Sequence, residues 1–336
     1  MEAANNNLLT VENLKKHFPI KKGLLRRVLG HVKAVDDVSF KIRRGETLGL
    51  VGESGCGKST IGKLILRALK PTAGTIMFRV DDEEVLIHEL SDAELRSFRR
   101  HAQLIFQDPY ASLNPRMTVR EIIGEPILVN RDQQTVDLDQ RVKELMDLVG
   151  LDSRYLKRYP HAFSGGQRQR IGVARALALN PDLIVADEPV SALDVSIQAQ
   201  ILNLLHDIQQ DLNLTYLFIS HDLSVVEHIS DRVAVMYVGK LVELADNDDI
   251  FRRPKHPYTE ALLAAVPQIS ERQKRETYTL GGNIADPANP PSGCYFHPRC
   301  RYAKEICKTQ PVVMEEVSPR HQVACHLARE LSLKGL

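Results

Sequence analysis

Two glycine-rich stretches carry the residue types that phosphate chemistry needs. The first, Gly52-Glu-Ser-Gly-Cys-Gly-Lys-Ser-Thr60, follows a short apolar run at 47–51 and leads into an apolar-faced run at 59–66, so its glycines fall at a strand-to-helix turn. Gly52, Gly55 and Gly57 admit backbone conformations closed to bulkier residues. Consecutive N–H groups can then point inward at phosphate oxygens, with a helix dipole behind them. Lys58 offers a point charge to the β and γ phosphates, and the hydroxyl of Ser59 is a natural Mg²⁺ ligand. Cys56 fills a small-residue position in the loop and Thr60 completes it. The second stretch, Phe163-Ser-Gly-Gly-Gln-Arg-Gln-Arg170, also opens a helix, but it has no lysine at the matching place and no strand feeding it. By residue type it is either an anion-facing helix start or an ordinary N-capped amphipathic helix.

Downstream, Asp182-Leu-Ile-Val-Ala-Asp-Glu-Pro189 reads as a buried strand that ends in two carboxylates. Open α/β folds place their ligands at the C-terminal ends of such strands, where the phosphate loop also lies. Asp187 would hold Mg²⁺ through its water shell, and Glu188 would act as the general base that polarises an attacking water. Taken alone, the same run is as readily a strand reaching solvent. Its occurrence with Lys58 and Ser59 favours the chemical reading.

The order of residues 52–60, Gln107, Ser164-Gly-Gly-Gln167, Asp187-Glu188, Ser191-Ala-Leu-Asp194 and His221 resembles, motif for motif, the nucleotide-binding subunit of ATP-binding cassette (ABC) transporters. The likeness is strongest to the oligopeptide and dipeptide importer ATPases, through Phe106-Gln-Asp-Pro-Tyr-Ala-Ser-Leu-Asn-Pro115, Lys255-His-Pro-Tyr258 and a cysteine-bearing tail. It runs from about residue 8 to the region of Cys325.

That resemblance implies an α/β P-loop ATPase core with an inserted helical subdomain at about 114–180 and a small cysteine-rich C-terminal appendage. The nucleotide-binding domain is expected over 8–255 and the transporter C-terminal region over 256–330. It also implies that two such subunits pack head to tail, so that Ser164, Gly165, Gly166 and Gln167 close over the nucleotide of the partner. Ser164 would then cap its helix and bond the γ-phosphate. Gln107 is expected to touch Mg²⁺ and the attacking water, His221 to bond the γ-phosphate, and Asp194 to reach the opposite site across the dimer. Phe18 matches the aromatic that stacks on adenine, with a core phenylalanine as the rival reading. A histidine ending a strand is, by type alone, more often packed or surface-exposed than catalytic. Phe163 stands where the family commonly has leucine, an exchange within an apolar slot.

The 336 residues carry a net charge of +1, enough chain for one large α/β domain plus an appendage, with no global bias toward nucleic acid. No apolar run approaches 18 residues and no basic-then-apolar leader is present, so the expectation is a chain that neither spans a membrane nor leaves the cytoplasm unaided. The basic stretch Lys21-Lys-Gly-Leu-Leu-Arg-Arg27 reads as a solvated hairpin or as a contact to anionic lipid headgroups. Residues 8–44 read as strand-rich, 114–159 as helical, and 182–242 as alternating strands and helices. There are no internal repeats, so one chain supplies half of an ATPase pair.

Cys294, Cys300, Cys307 and Cys325 crowd a proline- and arginine-rich tail. A cytoplasmic chain does not ordinarily keep structural disulfides, which favours metal. The spacing lacks the close Cys-x-x-Cys pairs usual for zinc. It resembles instead the four-iron, four-sulfur (4Fe-4S) site of peptide-importer ATPases, with zinc or unliganded thiols as alternatives.

The function implied is the ATP-hydrolysing subunit of an importer for dipeptides or oligopeptides, peripheral on the cytoplasmic face of the cell (inner) membrane. Its cofactors would be ATP, Mg²⁺ and the cluster. Its partners would be a second ABC ATPase subunit, two transmembrane permease subunits and an extracytoplasmic substrate-binding protein. Nickel or glutathione as cargo, or a soluble non-transport ABC ATPase, are the alternatives.

Overall fold

Three pentapeptide runs build the frame: Thr47–Val51 and Thr215–Ile219 are buried at every position, and Leu183–Asp187 at all but its last. Runs without polar alternation are those of strands covered on both faces, as in parallel sheets with helical layers. The computed structural model describes residues 6–23, 27–81, 83–130, 137–266 and 281–336. Leu24, Leu25 and Arg26 of the basic stretch lie outside the described residues. The chain groups into two compact units, one of Met1–Leu8, Ile42–Thr47 and Arg79–Ile219, the other of Leu9–Lys41, Leu48–Phe78 and Ser220–Leu336.

In the first unit Ala102–Ile105, Leu183–Asp187 and Thr215–Ile219 pair in parallel, with Ile105 opposite Ala186 and Asp187 opposite Ile219. Asp182, just before the middle strand, receives Arg44 at 3.0 Å and His101 at 2.8 Å. These partners hold its carboxyl below the ordinary range although burial pushes the other way. The helices Val119–Val129, Leu138–Leu148 and Gly165–Leu177 pack on one another. Each start is written in sequence: Thr118 with Glu121 and Ser164 with Gln167 form reciprocal capping boxes, and Asp137 caps Leu138–Leu148.

In the second unit the strand Asn7–Lys22 pairs antiparallel with Ala73–Val80, Leu9 opposite Phe78. Separately, Thr47–Val51 pairs in parallel with Arg232–Tyr237. The sheet continues antiparallel through Lys240–Asp246, His321–Val323 and Glu315–Ser318. The last two strands come from the cysteine-bearing tail. Glu243, fully buried, anchors them: its carboxylate accepts from the backbone of Lys255 and His256 and faces His321 Nε2 at 2.7 Å. A buried carboxylate is tolerable only with such partners. Tyr237, Tyr258 and Phe296 pack ring against ring at 4.7–5.3 Å and are almost wholly buried. Among the described residues no helix is long and apolar enough to cross a membrane.

Candidate nucleotide site

The second unit holds the phosphate loop. Gly57 has φ 110°, and a Cβ there would run into the carbonyl oxygen of Ala34, so only glycine fits. The helix Lys58–Ile65 starts directly after it with no side-chain cap, which leaves its first N–H groups to an anion. Lys58 is buried, and its ammonium donates to the carbonyls of Gly52 at 2.7 Å and Glu53 at 3.2 Å. Ser59 and Thr60 occupy the first turn. Cys56 is buried, and burial pushes its thiol up despite the neighbouring Lys58 charge, which makes it a small packing group rather than a thiolate.

Sequence reading did not find the residues that grip this loop. Glu53 donates its backbone N–H to Tyr258 Oη at 2.9 Å, and its carboxylate receives both terminal nitrogens of Arg299 at 2.7 and 3.0 Å. The Lys-His-Pro-Tyr motif thereby acquires a physical reason. His256 is fully buried, and burial lowers its pKa to about 3. Its neutral Nδ1 accepts the Tyr258 N–H at 3.0 Å, Pro257 takes the first helical position of Pro257–Ala264, and Tyr258 is aimed at the loop.

The first unit holds the carboxylate end. Asp187 closes its strand, and Glu188 follows with φ 48°, a left-handed conformation rare for a side-chain-bearing residue. It is pinned there: its N–H donates to Ile219 O at 2.9 Å and its carbonyl accepts from Ser191 Oγ at 3.1 Å. Gln107 Nε2 donates to Glu188 Oε2 at 2.7 Å. The segment after Gln107 is tied to the helix Gly165–Leu177 by Arg168 over the Tyr110 ring at 4.1 Å and by Arg175, which donates to Ser112 O at 2.7 Å. Ser164 Oγ accepts from Gln167 N at 3.3 Å. A Cβ on Gly166 would lie 2.6 Å from Ile197 Cγ2, so this glycine is already required by packing inside the chain. Asp194 is exposed and its side chain does not cap the helix Val195–Leu212.

His221, in the second unit, is exposed. Phe18, also in that unit, is 36 % exposed with Lys16 Nζ 5.1 Å above its ring, which removes the core-phenylalanine reading.

Cys294, Cys300, Cys307 and Cys325 carry free thiols and line one cleft with His256, Pro257 and Phe296. Burial first, and neighbouring thiols second, push Cys300 up to about 11 and Cys325 up to about 12, and Cys294 upward as well. Among the described residues no three or more His, Cys, Asp or Glu side chains form a group that could hold a metal ion.

The model described as ABC transporter matches residues 35–191, and that described as Oligopeptide/dipeptide transporter, C-terminal region, matches residues 242–307. The Oligopeptide transport ATP-binding protein AppF of Bacillus subtilis (strain 168) is 56% identical over 331 residues, covering 97% of this chain and 99% of the relative. The Dipeptide transport ATP-binding protein DppF of Haemophilus influenzae is 48% identical over 324 residues, covering 96% of this chain and 97% of the relative. Among solved structures, the dimeric post-hydrolysis state of the ATP-binding cassette MJ0796 bound to ADP and Pi aligns with a TM-score of 0.61 at 27% identity, over 71% of this chain and 98% of that one. The α/β P-loop fold of that cassette, the matched C-terminal region and near-full-length identity place the chain in the family of ATP-binding subunits of oligopeptide and dipeptide ABC transporters.

Proposed function

We propose that the chain hydrolyses ATP to drive uptake of dipeptides or oligopeptides, acting on the cytoplasmic face of the cell membrane with two permease subunits, a second ATPase subunit and an extracytoplasmic binding protein. The observation that carries the hydrolytic reading is the Gln107–Glu188 pair, an amide holding a carboxylate at the end of an apolar strand. The near-full-length likeness to AppF and DppF supports the peptide cargo.

Each residue then has a task. The loop N–H groups of residues 52–60 and Lys58 bind the phosphates, and Phe18 stacks on adenine. Glu188 accepts the proton of the attacking water, Gln107 holds Glu188 and orients that water, and His221 bonds the γ-phosphate. Mg²⁺ takes hard oxygen donors, and the hydroxyl of Ser59, the carboxylate of Asp187 and the amide oxygen of Gln107 are the residues that would hold it. Gln107 fits because its nitrogen is already committed to Glu188. When bound, Mg²⁺ neutralises phosphate charge. Ser164, Gly165, Gly166, Gln167 and Asp194 serve the nucleotide of the partner ATPase, so that ATP closes the pair and hydrolysis releases it.

We assign the nucleotide-binding domain to 8–255, its helical subdomain to about 114–180 and the transporter C-terminal region to 256–330. The four free thiols line one cleft without closing into a metal-holding group in this structure, but they are of the donor type a 4Fe-4S cluster takes, and Cys294, Cys300, Cys307 and Cys325 would hold one as a structural staple.

The test is purification of the chain with its membrane subunits and measurement of ATP hydrolysis by the complex. Hydrolysis lost with Lys58→Ala, together with nucleotide binding, supports the reading. A membrane complex that assembles and hydrolyses ATP without this chain overturns it.

A further inference from the structure

Arg299 stands 246 positions from Glu53 in sequence, yet closes on it. Its Nη1 donates to Glu53 Oε2 at 2.7 Å and its Nη2 to Oε1 at 3.0 Å, a fork-on-fork pairing. The Arg299 side chain is only 5 % exposed and that of Glu53 23 %, so the guanidinium is shielded from salt and water while the carboxylate keeps a partly open edge. The guanidinium also lies near the Tyr237 ring, and its Nε donates to Gly281 O at 3.3 Å. The remaining polar groups of Glu53 are held as well: Tyr258 Oη takes its N–H, and Lys58 donates to its carbonyl. One loop residue thus has its amide, carbonyl and carboxylate all committed, and two of the partners, Tyr258 and Arg299, come from the C-terminal region.

A glycine-rich loop has much conformational freedom to lose on binding a ligand. A buried bidentate clamp orders it beforehand, which strengthens binding without touching the reacting atoms. We propose that Arg299 is a positioning residue for nucleotide binding, which fixes the phosphate loop through Glu53 and thereby sets the chain's affinity for ATP. This rests on the reading of residues 52–60 as an ATP phosphate loop. Arg299 ends the short turn His297–Arg299, directly before Cys300, so this side chain ties the cysteine-bearing tail to the phosphate loop.

The experiment titrates a fluorescent ATP analogue into the full chain and into Arg299→Ala, Arg299→Lys, Glu53→Gln and the Arg299→Ala/Glu53→Gln double variant, each checked for its melting transition. Arg299→Ala weakens binding by about tenfold to a hundredfold, the scale of a small misplacement in a pre-organised site. Arg299→Lys, which keeps the charge and loses the fork, falls between. Glu53→Gln leaves the arginine packing in place and weakens binding too, so it serves if Arg299→Ala does not fold. The double variant is no weaker than the weaker single one, because both act through one contact. In the assembled complex Arg299→Ala raises KM for ATP while kcat stays within about twofold, the pattern of lost uniform binding. Native-like affinity in folded Arg299→Ala, or in Glu53→Gln, overturns the clamp and leaves the ATPase reading intact. A native chain that binds no nucleotide overturns both.

Discussion

Glu188→Gln isolates the proton-accepting role from the geometry that supports it. The amide oxygen of glutamine can accept from Gln107 Nε2 where the carboxylate does now, at 2.7 Å. The left-handed backbone at φ 48° is equally strained for either side chain, and the contacts to Ile219 and Ser191 are made by the main chain. What changes locally is a charge-assisted hydrogen bond becoming a neutral one, about 1 kcal/mol. What changes chemically is the loss of the base, about two to four orders of magnitude in rate, or about 2.7–5.4 kcal/mol of barrier. The chemical loss is the larger, so ATP affinity should hold within a few-fold while turnover falls at least about a hundredfold. The assay is phosphate release by the assembled complex at saturating ATP, paired with nucleotide binding to the isolated chain. A variant that turns over at the native rate refutes the assignment of Glu188. A variant that has lost binding refutes the claim that its role is confined to the chemical step.

Ser164→Arg sets bulk against the partner's γ-phosphate, so ATP-dependent association of the ATPase pair, read by light scattering, should disappear while the chain's own loop still binds ATP. Gly166→Asp would be a poorer probe, because Ile197 already abuts that glycine. Cys300→Ser should abolish the brown colour and the iron content of anaerobically purified protein, about four irons per chain in the native form; a colourless native chain with one zinc would overturn the cluster. Burial keeps His256 neutral with a folded pKa of about 3, below an unfolded value of about 6.5. Its contribution to stability is complete above about 6.5 and is lost as pH falls toward about 3, at up to about 1.4 kcal/mol per pH unit. His256→Asn keeps a capping acceptor and should flatten the fall of melting temperature with acid over that window; an unchanged slope would refute the assignment.

The phosphate loop, the carboxylate-ended strand and the capped helix at Ser164 were legible because each is local: a glycine spacing, an apolar run, and a serine three residues before a glutamine. The Glu53–Arg299 clamp was not, since an ion pair across 246 positions leaves no periodicity in either segment. The left-handed φ of Glu188 was hidden for a related reason. Glutamate carries no sign of that conformation, which is imposed by backbone bonds to Ile219 and by Ser191. Gly166 read as an anion-facing glycine, and the structure adds Ile197, a packing demand from a helix about thirty residues further on. The role of Tyr258 was invisible although its motif was plain, because its partner is a backbone N–H, which every residue but proline offers.

The central claim is that ATP turnover by this chain moves peptide across a membrane. Its most direct measurement is uptake of a labelled oligopeptide into vesicles that hold the permease subunits, both ATPase subunits and ATP inside, with the binding protein outside. Native chain should give ATP-dependent accumulation, and Glu188→Gln should reduce it at least about a hundredfold, in step with hydrolysis. Accumulation that persists with Glu188→Gln, or native vesicles that hydrolyse ATP and accumulate no peptide, would contradict the account.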